Sequence, residues 1–220
     1  MRKVTPLSVV TRFDEEALEL FHYLDRVAKA LPPGSLRDHN HLARTAFVAL
    51  YASFEGFLSN LFLAYINRDS SVFQADLRSR LTQSVSQRFG APVASRVLLP
   101  LPKHLPLAAV PPLVDPTARN ITFRTASDLG TFATRWLAKP HASRILALKP
   151  DDLGLIDAAR AVRNQIAHQS VASHQEMNAT LGALSDPILR RGTRRIDNVG
   201  VYLRAFVAGS ARITHFGIRL

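Results

Sequence analysis

From Asp14 onward, Ala17, Leu20, Phe21, Leu24, Val27, Ala28 and Leu31 recur at intervals of three and four. That spacing lines one face of an α-helix. Asp14, Glu15 and Glu16 fall in its first turn, where carboxylates complement the helix dipole, and Pro32-Pro33-Gly34 ends it. The pattern therefore predicts a first helix from about Asp14, with residues 1–12 as a lead-in. A second and clearer pattern runs from about Asp38 to Asn67. Ala43, Ala46, Phe47, Leu50, Phe54, Phe57, Leu58, Leu61, Phe62 and Tyr65 trace a broad apolar stripe over many turns. A weaker helix is expected over 72–89, from Val72, Phe73, Leu77, Leu81, Val85 and Phe89.

The pattern changes over 91–118. Pro92, Pro100, Pro102, Pro106, Pro111, Pro112 and Pro116 forbid a continuous helix, since each lacks an amide proton and crowds the preceding turn. Leu98, Leu99, Leu101, Leu105, Val110 and Leu113 are too apolar for a free linker, so a structured, Pro-rich insertion is expected. It reads either as part of the bundle or as a partner-binding segment. Helical spacing resumes over 126–138, with Thr125 and Asp128 as a cap, and Pro140 closes that helix. Another turn is expected at 143–148. Asp151 and Asp152 then cap a helix that reaches His168, and Ser173 with Glu176 reads as the capping box of the next, through about Leu184. Arg190, Arg191, Arg194 and Arg195 form a basic turn around Gly192, and a final helix is expected over 198–215. The whole reads as one all-α domain over 1–220, with a C-terminal basic turn and helical extension at 186–220.

Composition adds the partner classes. Apolar residues make up 47% of the 220, enough for a packed core. The longest apolar stretch, Leu42 to Ile66, is broken by Arg44, Glu55, Ser59 and Asn60, so no membrane span is expected. Arg12 and Asp14 to Glu16 break any signal-peptide core. The chain has no cysteine, which removes disulfides and thiolate metal sites, and a cytoplasmic location is the default expectation. The net charge of +11 attracts polyanions. An alternative is that it reflects codon usage, because Lys occurs only at 3, 29, 103, 139 and 149 and every other base is Arg.

The stretch Asp157 to His168 carries the candidate chemistry. At 100° per residue, Leu155, Ala159, Val162 and Ile166 share one stripe, which must face the core. Arg160, Asn164 and His168 fall opposite, and Arg163 lies on the flank. Histidine titrates near neutrality and suits proton transfer, while arginine offers phosphate oxygens a planar fork of donors. Such a face is also what a solvated helix shows. By the wheel, Arg163 and His168 stand about 140° apart. One straight helix cannot close both on one phosphate, so either the helix ends near His168 or a second copy supplies the matching half.

Arg163-Asn164-Gln165-Ile166-Ala167-His168 resembles the Arg-x(4–6)-His motif of the HEPN superfamily, in the form where Asn follows Arg. The aromatic segment Tyr51 to Phe62, with Glu55 inside it, is similar to the Glu-containing helix of the RiboL-PSP-HEPN group. The loose resemblance spans 14–184, and the specific match is confined to these two segments. It implies an all-helical bundle that dimerises. It also implies a ribonuclease site built from the motif helices of two subunits, working without metal or cofactor. The 2′-hydroxyl of RNA attacks the adjacent phosphate and leaves a 2′,3′-cyclic phosphate. By the same resemblance His168 moves protons, Arg163 holds the phosphate and Asn164 assists. Glu55 supports the site, pairing Arg163 or Arg160. Members of this kind serve as toxins held by an antitoxin protein, or in phage defence. The alternative is a non-catalytic module that binds RNA or a protein through the same face.

Other constellations are weaker. His39 and His41 flank Asn40 without the convergent ligands a metal needs. His22, His104, His141, His174 and His215 read as isolated. No phosphate loop, His-Glu-x-x-His or Gly-x-Ser-x-Gly occurs. The turn Arg190, Arg191, Arg194 and Arg195 reads either as a grip on RNA backbone or as a solvated loop.

Overall fold

A computed structural model of the chain describes residues 4–98, 100, 105–115 and 121–220. The fold is all-α, with one hairpin of two two-residue strands among the described residues. The helices are α1 (Pro6–Ala30), α2 (Leu36–Arg68), α3 (Ser71–Phe89), α4 (Ala91–Ala94), α5 (Val110–Val114), α6 (Ala126–Trp136), α7 (Lys139–Leu146), α8 (Pro150–His168), α9 (Val171–Ala183), α10 (Val199–Arg204) and α11 (Arg212–Arg219). Strands β1 (Phe206–Val207) and β2 (Ser210–Ala211) pair antiparallel between α10 and α11. The chain forms two compact units, one from Met1–Val10 and Leu58–Ala147, the other from Thr11–Phe57 and Leu148–Leu220.

In the first unit the end of α2 supplies a buried Phe62, which meets Phe123 at 5.0 Å. Phe73 of α3 meets Trp136 of α6 edge-on at 6.1 Å. Asp76 of α3 accepts from Arg80, from Arg135 and from the Trp136 indole, so one carboxylate joins α3 to α6. Within the expected insertion, Leu105 and Val110 are buried, and Leu105 O accepts from Asn67 Nδ2 at 2.9 Å. Leu99, Leu101, Pro102, Lys103, His104 and Pro116 lie outside the described residues. His141 stacks on Tyr65 at 4.7 Å; burial, then Arg68 and Arg144, pushes its pKa down.

In the second unit Phe13 of α1 packs on Phe54 and Phe57 of α2, at 5.9 and 4.9 Å. Phe47 of α2 meets Phe216 of α11 edge-on at 5.2 Å, both rings fully buried. Excluding rings of that size from water stabilises by roughly 2–3 kcal/mol each. By length and composition α2 passes as a membrane span, although Arg44, Glu55, Ser59 and Asn60 interrupt it. Of its most apolar window, 56% is buried inside the molecule, the pattern of a core helix.

Four boundaries differ from the sequence reading. Helix α1 begins at Pro6, eight residues before Asp14. Thr5 Oγ1 accepts from Ser8 N at 3.1 Å, and Pro6 suits a first helical position. Helix α6 ends at Trp136, and Pro140 lies in the first turn of α7 rather than closing α6. Helix α9 is capped by Ser170, whose Oγ accepts from Ser173 N, so Ser173 is already inside the helix. The expected last helix is broken into α10, the hairpin and α11. Ala208 and Gly209 have φ of 47° and 90°, left-handed values that a helix cannot hold and that suit Gly209. His215 Nε2 pins the hairpin through Val207 O at 2.8 Å and Ser210 Oγ at 3.0 Å, so His215 is not isolated.

Candidate nuclease site

Helix α8 starts with Pro150 in its first turn, and Asp152 Oδ2 accepts from Lys149 N at 2.9 Å. Leu155, Ala158, Ala159, Ala161 and Val162 are buried, whereas Ile166 of the expected stripe is only partly so. Helix α9 packs along α8.

That packing moves Arg160 off the outward face. Its Nη2 donates to Glu176 Oε1 of α9 at 2.8 Å, and its Nε lies 3.7 Å from Asp157 Oδ1. Only a quarter of its side chain is exposed. Arg160 therefore joins two helices and does not extend the line to His168.

Arg163 is turned toward α2. Its Nη2 is 3.7 Å from Glu55 Oε2, and its guanidinium lies over the Tyr51 ring at 5.9 Å. Its Nη1 donates to Asn164 Oδ1 at 3.0 Å. Glu55 is half-exposed and pairs with Arg163 rather than Arg160. The pair is long and wet, so its attraction is modest. Tyr51 is buried, and its phenol pKa is pushed up to about 12, chiefly by burial and then by Glu55. Below that pH the ring stays neutral, with its face toward the cation.

His168 is the last residue of α8 and is exposed. Gln169 takes a left-handed conformation, φ 49°, and its N–H closes on Gln165 O at 3.1 Å. Ser173 Oγ donates to Gln165 Oε1 at 2.6 Å, fixing where the helix stops. Among the described residues, no hydrogen bond or ion pair joins His168 to Arg163. The chain thus brings Arg163, Asn164, Glu55 and Tyr51 together, with His168 exposed at the end of the same helix.

The basic turn splits. Arg191 lies inward, its Nε donating to Asn178 O and its Nη1 to Gly192 O at 3.1 Å. Arg190, Arg194 and Arg195 are exposed. Two neighbours were missed from sequence. Tyr51 is one turn before Glu55 on the same face of α2, a spacing that could have pointed to it. Glu176 reads as a cap, and only the packing of α9 shows it to be Arg160's partner. A cavity of about 370 Å³ is bordered by Phe21, Leu42, Ile213, Asp25, His39 and Arg204, and none of the candidate site residues lines it.

Comparison with protein-family models, with curated proteins and with solved structures finds no match to this chain.

Proposed function

We infer that the protein is a metal-independent, HEPN-type endoribonuclease that acts as a homodimer. The observation that carries this reading is the arrangement on α8. Arg163 and Asn164 are hydrogen-bonded to each other on a part-open flank, and an exposed imidazole follows on the last turn. In the reaction the 2′-oxygen bonds to phosphorus and the P–O5′ bond breaks. One imidazole takes the 2′-hydroxyl proton and an acid returns a proton to the leaving 5′-oxygen. Arg163 holds the phosphate oxygens as charge builds on them, and Asn164 orients the substrate or the ring. Because Arg163 and His168 stand about 140° apart around one helix, a second α8 supplies the matching half. By the same resemblance the protein works in the cytoplasm as a toxin or phage-defence effector, with an antitoxin protein as partner.

One observation favours the other reading, a binding module without catalysis. Arg163 and Arg160 already have carboxylate neighbours, Glu55 and Glu176. Incubating end-labelled RNA with wild type, Arg163→Ala and His168→Ala separates the two. Cleavage by wild type, retained in EDTA and reduced at least 100-fold in both variants, is expected for proton transfer and charge stabilisation at one site. Folded wild type that binds RNA as tightly as His168→Ala and cuts none would establish the module instead.

A further inference from the structure

The irregular segment 184–198 between α9 and α10 is held from many sides. Along α9, His174, Asn178 and Gly182 form one ridge at four-residue spacing, facing this loop. His174 Nε2 meets Ile196 O at 2.9 Å. Asn178, buried, accepts from Ile196 N through Oδ1 at 2.8 Å and donates through Nδ2 to Ile196 O at 3.3 Å. At Gly182 a Cβ would sit 3.0 Å from the Arg191 guanidinium, so the missing side chain makes room for Arg191 to lie across the helix end. From the other side, the buried Tyr202 hydroxyl of α10 donates to Leu189 O, and Arg212 Nε of α11 donates to Ile188 O at 2.9 Å. Asp186 accepts from Ile188 N at 2.8 Å and meets Arg219 at 3.2 Å, so its charge is already engaged. Asp197, the loop's other acid, lies 3.9 Å from His174.

What this frame presents outward is Arg190, Arg194 and Arg195. Among the described residues none of the three has a carboxylate partner. Arg190 borders an open depression of about 580 Å³, with Gly182, Pro187, Gly192 and Thr193. A loop ordered by buried polar groups has already met the entropic cost of fixing its shape, so an anion bound by its exposed guanidiniums need not order it. Solvated surface arginines do not need such a frame.

We propose that segment 184–198 is a preformed platform for the phosphodiester backbone of RNA, separate from the Arg163 site. Arg190, Arg194 and Arg195 make the phosphate contacts, and Arg191 is a positioning residue that pins the loop to α9. The choice of RNA as the anion rests on the nuclease reading above; the platform itself does not.

The test uses a fluorescent 2′-O-methyl RNA, which has no attacking hydroxyl and reports binding alone. Its affinity for the full chain is followed by anisotropy across a salt series, for wild type, Arg190→Gln/Arg194→Gln/Arg195→Gln and the corresponding triple Lys variant. Each phosphate contact to a single strand contributes about 0.7 to the slope of log K against log salt. The Gln variant is expected to lose about 2 units of slope and at least tenfold in affinity at low salt; the Lys variant keeps most of the slope. Three single Gln variants, each losing up to about 0.7 of slope, replace the triple if it fails to fold. An unchanged slope in the Gln variants would overturn the proposal, as would equal competition by polyglutamate of matched charge. If ordinary RNA is not cut yet the slope falls, the nuclease reading fails and the platform stands. Cleavage with an unchanged slope fails the platform alone.

Discussion

Arg163 sits between a carboxylate, a buried phenol and an amide, and each neighbour sets a different constraint. The Glu55 contact is long and half-exposed, so removing it moves stability little. Arg163→Lys keeps the charge but loses the planar fork, and Lys cannot reproduce the Asn164 contact together with two phosphate oxygens. On the proposed nuclease reading, the expected outcome is a loss of at least tenfold in RNA cleavage, with unfolding free energy within about 1 kcal/mol of wild type. Rate assays and urea denaturation check both. Asn178 is the opposite case, a buried amide whose oxygen and nitrogen both hold Ile196. Asn178→Ala removes the partner of Ile196 N and leaves Ile196 O to His174 alone, and is expected to cost roughly 1–3 kcal/mol in urea unfolding. Tyr51 gives the pH dependence. Its folded pKa of about 12 lies above the unfolded value of 10.0. The stability this represents is complete below the unfolded value and is lost as pH rises toward the folded one. The urea midpoint should therefore fall between pH 10 and 12, and less steeply in Tyr51→Phe.

Among the elements, those with an uninterrupted apolar period were legible. The stripe from Ala43 to Tyr65 predicts α2 to within two residues at its start and one at its end. Periodicity says less where a short polar interaction sets the boundary. The Thr5 cap precedes the apolar pattern of α1, and Ser170 competes with Ser173 for the same role in α9. The hairpin at 206–211 was hidden because Phe206 and Val207 continue the helical spacing of Val199 and Tyr202. Only the left-handed residues Ala208 and Gly209 break it. Gly209→Ala, at φ 90°, should cost roughly 1 kcal/mol, with denaturant unfolding as the check. The candidate site was legible in the same partial way. The order Arg163, Asn164, His168 follows from spacing on one helix. The Arg163–Glu55 pair needs α2 laid beside α8, which no local pattern carries, and the Arg160–Glu176 pair needs α9 laid along α8.

At the scale of the whole molecule, the +11 charge favours polyanions, and α8 carries the groups of the proposed nuclease site. The central claim is that these groups cut RNA through its own 2′-hydroxyl. The most direct measurement is an RNA oligonucleotide paired with the same sequence carrying 2′-deoxy sugars at its cleaved positions, with the product ends read by mass spectrometry. The account predicts that the RNA is cut to 2′,3′-cyclic phosphate ends and that the deoxy-substituted strand resists at those positions. Cleavage of both strands at the same positions, or intact RNA after exposure to folded wild-type protein, would contradict it.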